Sequence, residues 1–76
     1  MTPDDIYDLR GLNCPLPVLK IRKRLSETDK DSVLVAETTD PLAVIDVPHF
    51  CKEYGHAMLA CDKVEGGHRF TIRNGG

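Results

Sequence analysis

The spacing of apolar residues divides the chain into short elements. Residues 6–9 form a short apolar segment that suits a first strand, and Gly11 stops it. Asn13-Cys14-Pro15 is a helix-entry signal, with Cys14 expected as N-cap and Pro15 and Pro17 as the first and third helical positions. Over 15–26, Val18, Ile21, Arg22 and Leu25 recur at helical spacing with Leu19 at the edge, while Lys20, Lys23 and Arg24 take the other side. A polar turn over 28–31 leads to 32–36, a compact β-branched run suited to a buried central strand. Asp40-Pro41 repeats the helix-entry chemistry, with Asp40 expected as N-cap. Pro48 lacks an N–H and clashes with the preceding turn, so the spacing predicts two short helical pieces, 41–47 and 48–54, closed by Gly55. A third strand over 56–64, a hairpin loop at Glu65-Gly66-Gly67 and a fourth strand over 68–73, with Phe70 and Ile72 on one face, complete the chain. The order βαβαββ predicts an α/β (α+β) two-layer sandwich, a mixed four-stranded sheet with two helices packed on it.

Length and composition narrow the class. Seventy-six residues suit one domain, 1–76, with no internal repeat or linker. At 41% hydrophobic and 29% charged, the chain reads as an ordinary water-soluble domain, without the long apolar run of a membrane span. Residues 1–5 are polar and acidic, the reverse of a secretory signal, so a cytoplasmic location is expected. Three widely spaced cysteines cannot all pair within the chain, which argues against a disulfide scaffold. A net charge of −2 argues against a dedicated nucleic-acid binder.

The chemistry concentrates in Asp8-Leu9-Arg10-Gly11-Leu12-Asn13-Cys14-Pro15-Leu16-Pro17. A helix N-terminus favours the thiolate, the nucleophilic form of cysteine. The two prolines each remove an N–H that would point at the sulfur, so the motif is expected to orient the thiol more than to acidify it. Gly11 would permit the tight turn that lifts Cys14 off the strand end. Cys51 and Cys61 read as core thiols. His49, His56 and His68 fit no zinc spacing with the cysteines, so no metal is expected; His68, after the hairpin loop, is expected to be exposed.

The chain resembles the TusA/SirA family of small sulfur carriers over nearly its whole length. Asp8, Gly11 and Cys14-Pro15-Leu16-Pro17 match the family's Cys-Pro-x-Pro signature. Asp40-Pro41, Asp46-Val47-Pro48 and Phe50-Cys51 resemble its second helical region, and Ile72-Arg73-Asn74-Gly75-Gly76 its ending. Leu16 stands where many TusA members have Glu, and Asn13 where many have a basic residue. The resemblance implies a βαβαββ sandwich and a persulfide on Cys14, accepted from a cysteine desulfurase and relayed to a downstream persulfide-accepting protein. Destinations of such sulfur include tRNA 2-thiouridine, sulfur oxidation and molybdenum cofactor. The transfer calls for no cofactor, and a monomer is expected.

Lys20, Arg22, Lys23 and Arg24, joined by Arg10, read either as a solvated helix face or as a candidate docking face for an acidic partner surface or an RNA phosphate. An alternative is a non-catalytic adaptor that uses this basic helix. Selective alkylation of Cys14 among the three thiols separates the two readings. The Gly75-Gly76 ending also raises thiocarboxylate chemistry of the ubiquitin-like kind. A β-grasp fold, however, opens with a hairpin, and a flexible tail is the expectation here.

Overall fold

The computed structural model describes residues 6–76, so the reading of residues 1–5 lies outside the described part. The elements are β1 (Tyr7–Leu9), α1 (Leu16–Ser26), β2 (Val33–Thr38), α2 (Ala43–Tyr54), β3 (Ala57–Val64) and β4 (Gly67–Arg73). The expected βαβαββ order holds, and the four strands form one mixed sheet in the order β1-β2-β4-β3. Among the described residues, only the β1–β2 pair is parallel, joined by the α1 crossover; β2–β4 and β3–β4 are antiparallel.

Two helices cover one sheet face. Leu34, Ala36, Phe70 and Ile72 point from the sheet into the layer that buries Ile21 and Leu25 of α1 and Val47 and Phe50 of α2. Side chains alternate along a strand, so Glu37 between Ala36 and Thr38 points to the opposite face. Strand β2 runs two residues beyond the predicted 32–36 because Glu37 and Thr38 pair with Asp8 and Leu9.

Three expectations about the helices need correction. Residues 43–54 form one helix with Pro48 inside it, rather than two pieces. The apolar stripe Ala43, Val47, Phe50 and Cys51 stays in phase through the proline, and its burial holds both halves on the sheet despite the missing hydrogen bond. The helix also begins later than Asp40 predicts. Asp40 Oδ1 accepts from Leu42 N–H at 3.1 Å and its carbonyl from Ala43 N–H at 3.0 Å, so it caps a turn that precedes α2. Helix α1 is shifted similarly: Pro15 is the N-cap and Pro17 lies in the first turn, leaving Cys14 one residue outside the helix. At its far end, buried Asn74 donates to the carbonyls of Leu25 (2.8 Å) and Thr28 (3.2 Å), tying off the last turn of α1.

Candidate functional site

Because β1 and β2 are parallel, the segments leaving their C-terminal ends emerge side by side. Gly11, at φ +84°, turns the chain off β1 in the left-handed region that glycine enters freely. Asp8 Oδ1 supports the bend by accepting from Arg10 N–H at 3.0 Å. Gly11 N–H then donates to Thr39 Oγ1 at 2.9 Å, and Cys14 N–H donates to Asp40 Oδ2. The buried Asp40 carboxylate therefore joins both segments, one oxygen to each.

Cys14 is exposed at the top of this junction. Its Sγ donates to Asp46 Oδ2, 2.8 Å away in the first turn of α2. That hydrogen bond, then loss of water around the sulfur, then the negative charges of Asp46 and Asp40 raise the thiol above the ordinary cysteine range. The prolines withhold two N–H donors from the turn, and the Leu16 N–H is spent on Asn13 O at 2.8 Å. The peptide bond between Cys14 and Pro15 is cis. Leu16, Leu42 and Ile45 are exposed on the two segments that flank the thiol.

The other predicted site residues are distributed more widely. Lys20, Arg22 and Lys23 are exposed on α1, and Arg24 is half-buried. The Arg24 guanidinium sits 3.8 Å from the centre of the Tyr7 ring, and that of Arg22 lies 5.5 Å from Tyr54. Lys23 pairs with Glu27 at 2.9 Å. Arg10 lies apart from these cations, on the sheet face turned away from the helices. There it donates to Glu37 Oε1 from Nε (3.1 Å) and Nη2 (2.8 Å), while Arg69 holds Glu37 Oε2. The two guanidinium groups hold the Glu37 carboxyl below the usual carboxylate range.

Among the remaining thiols, Cys51 is buried as expected, and burial pushes it up to about 11. Cys61 is exposed, against expectation. It pairs with Phe70, but β3 is an edge strand and there the helix layer no longer covers the side chain. His68 is half-buried beside Phe70 rather than exposed, with ring centres 6.3 Å apart. The Gly75-Gly76 segment is held rather than free: Gly75 N–H donates to His56 Nδ1 and Gly76 N–H to Asn74 Oδ1, each at 3.0 Å. Among the described residues, no three His, Cys, Asp or Glu side chains cluster as metal ligands, and no helix is long and apolar enough to cross a membrane.

Sequence reasoning identified Cys14 but missed its partners. Asp40 reads in the sequence as a helix cap and part of a motif, and Asp46 as part of the same motif, because 26 and 32 residues separate them from the cysteine. The fold and site together define a small two-layer α+β protein that displays one cysteine at the C-terminal end of a parallel strand pair. The family model described as Sulfurtransferase TusA matches residues 5–74. The chain is also 36% identical over 72 residues to the sulfur carrier protein TusA of Pseudomonas putida (strain W619), covering 95% of this chain and 90% of that protein. The chain belongs to the TusA family.

Proposed function

We propose that this protein is a cytoplasmic sulfur carrier that takes up a persulfide on Cys14 and relays its outer sulfur. The observation that carries the reading is the exposed Cys14 thiol at the junction of the two loops, with its backbone tied to Asp40. Sulfur arrives from a cysteine desulfurase. The Cys14 sulfur attacks the outer sulfur of the donor's persulfide, a new S–S bond forms at Cys14, and the donor's S–S bond breaks. The donor cysteine leaves as a thiolate and takes up the proton that Cys14 gives away. Attack by an acceptor protein's thiol repeats the exchange and restores Cys14. Thiolation of tRNA uridine is the destination to test first. The exposed cations Lys20 and Lys23 serve as the docking face on α1, supported by their position on the same helix that follows the thiol.

The test is intact-mass analysis after incubation with a desulfurase and cysteine. The wild type is expected to gain a sulfur atom and Cys14→Ser to gain none, with the fold retained because the residue is exposed. Equal sulfur addition to the serine variant would overturn the proposal.

A further inference from the structure

A cysteine that has to attack a persulfide is ordinarily helped by a neighbouring cation, an adjacent base near neutral pH or a helix N-terminus rich in free N–H groups. Cys14 has a different environment. From α2, Asp46 Oδ2 accepts directly from Sγ at 2.8 Å. From the segment before α2, Asp40 holds the Cys14 backbone and adds a second negative charge. From α1, the first turn offers Pro15 and Pro17 without N–H groups, and its first cation, Lys20, lies a full turn beyond Leu16. From the β1 end, Arg10 is engaged with Glu37 on the opposite sheet face and Asp8 with the Arg10 backbone. Among the described residues, the charges that bear on the sulfur are therefore both carboxylates.

We infer that Asp46 is a brake on Cys14: it holds the free carrier as a neutral thiol, and a cationic side chain on the partner that pairs with Asp46 releases the thiolate in the docked complex. The inference rests on the reading of Cys14 as the sulfur-bearing thiol and adds its regulation. The chemistry follows from hydrogen-bond roles. A carboxylate can only accept, so it stabilises S–H and repels S⁻. When the partner's cation pairs with Asp46, both effects fade and the Cys14 proton is free to move to the departing donor thiolate. No oxidation state changes beyond the sulfur exchange itself. Asp46 also disfavours the loaded state. A persulfide on Cys14 that has lost its proton places negative charge beside two carboxylates, which favours delivery of the outer sulfur over its retention. Both effects suit a carrier that should stay inert to stray oxidants and electrophiles between partners.

The brake is measured on the free protein, without desulfurase or acceptor, by the rate of iodoacetamide alkylation against pH, read peptide by peptide. Asp46→Asn keeps the shape and removes the charge. Its Cys14 profile is expected to move to lower pH, with alkylation at neutral pH faster by at least about threefold, since one pH unit of displacement corresponds to about tenfold more thiolate. Asp46→Glu, which keeps the charge, is expected to stay near the wild-type rate. The exposed Cys61 serves as internal reference and should react alike in all three proteins, while protection of buried Cys51 reports that the variant is folded. An unchanged Cys14 profile in folded Asp46→Asn would overturn the inference, and a slower one would make Asp46 a base instead. Because no sulfur is transferred in this assay, its failure is distinct from a failure of Cys14 to load.

Discussion

At the scale of single residues, two carboxylate environments on the same chain illustrate how neighbours decide what an acidic group does. Asp40 and Asp46 surround a thiol and raise it. Glu37, between Arg10 and Arg69, is itself lowered. The folded Glu37 carboxyl ionises at lower pH than in the unfolded chain, so the unfolded state binds more protons between the two values. Its contribution to stability is therefore full above the ordinary glutamate range and is lost as pH falls through the depressed folded value. Urea unfolding of Glu37→Gln at neutral pH is expected to show a loss of about 1 kcal/mol, since both arginines are partly exposed and regain water. The gap between the two proteins should narrow in acid; a constant gap across pH would contradict the assignment. None of this cluster was legible in the sequence. Arg10 read as part of a basic face, because the pairing of Asp8 with Glu37 that brings Arg10 to the outer sheet surface is a property of strand register.

At the scale of elements, local chemistry predicted type and order well and boundaries less well. Strands and helices followed from apolar period and from glycine and proline punctuation, and all six elements appear in the expected order. The local penalty of Pro48 points to a break, but the burial of Val47, Phe50 and Cys51 around it keeps the helix continuous. Cys61 is the complementary case: a strand residue reads as core until the sheet order shows that its strand is at the edge. The hairpin contributes a constraint of its own. Gly66, at φ +77°, and Glu65 make the turn, while Gly67 opens β4 against the backbone of Thr38. A Cβ on Gly67 would fall 1.8 Å from the Thr38 carbonyl oxygen, and no rotamer change relieves a clash with main chain. Gly67→Ala is expected to cost at least about 2 kcal/mol and to lower the melting temperature by roughly 10 °C. An unchanged melting temperature would show that β2 and β4 can separate there freely.

At the scale of the whole molecule, the site depends on topology. One parallel pair in an otherwise antiparallel sheet brings the β1–α1 and β2–α2 segments together, so that Cys14, Asp40 and Asp46 meet. Cys14 was legible because proline and glycine mark it locally; the carboxylates beside it were not, because only the fold brings them near. The charge distribution matters at this scale too, since a net charge of −2 includes a helix bearing Lys20, Arg22, Lys23 and Arg24. Replacing Lys20 and Lys23 together by Glu is expected to slow sulfur uptake from a desulfurase severalfold at low ionic strength. The difference should shrink as salt screens the docking charges, and the urea midpoint should stay close to that of the wild type. Equal uptake rates at low salt would remove α1 as the docking face.

In the proposed relay Cys14 alone carries the sulfur, although Cys61 is exposed as well. The most direct measurement loads the wild-type protein with a desulfurase and cysteine, caps all thiols and persulfides with an alkylating reagent, and locates the extra sulfur by peptide mass. The extra sulfur is expected on the peptide containing Cys14, and is expected to disappear after mixing with a persulfide-accepting protein. Sulfur found mainly on Cys61 or Cys51, or sulfur on Cys14 that no acceptor removes, would contradict it.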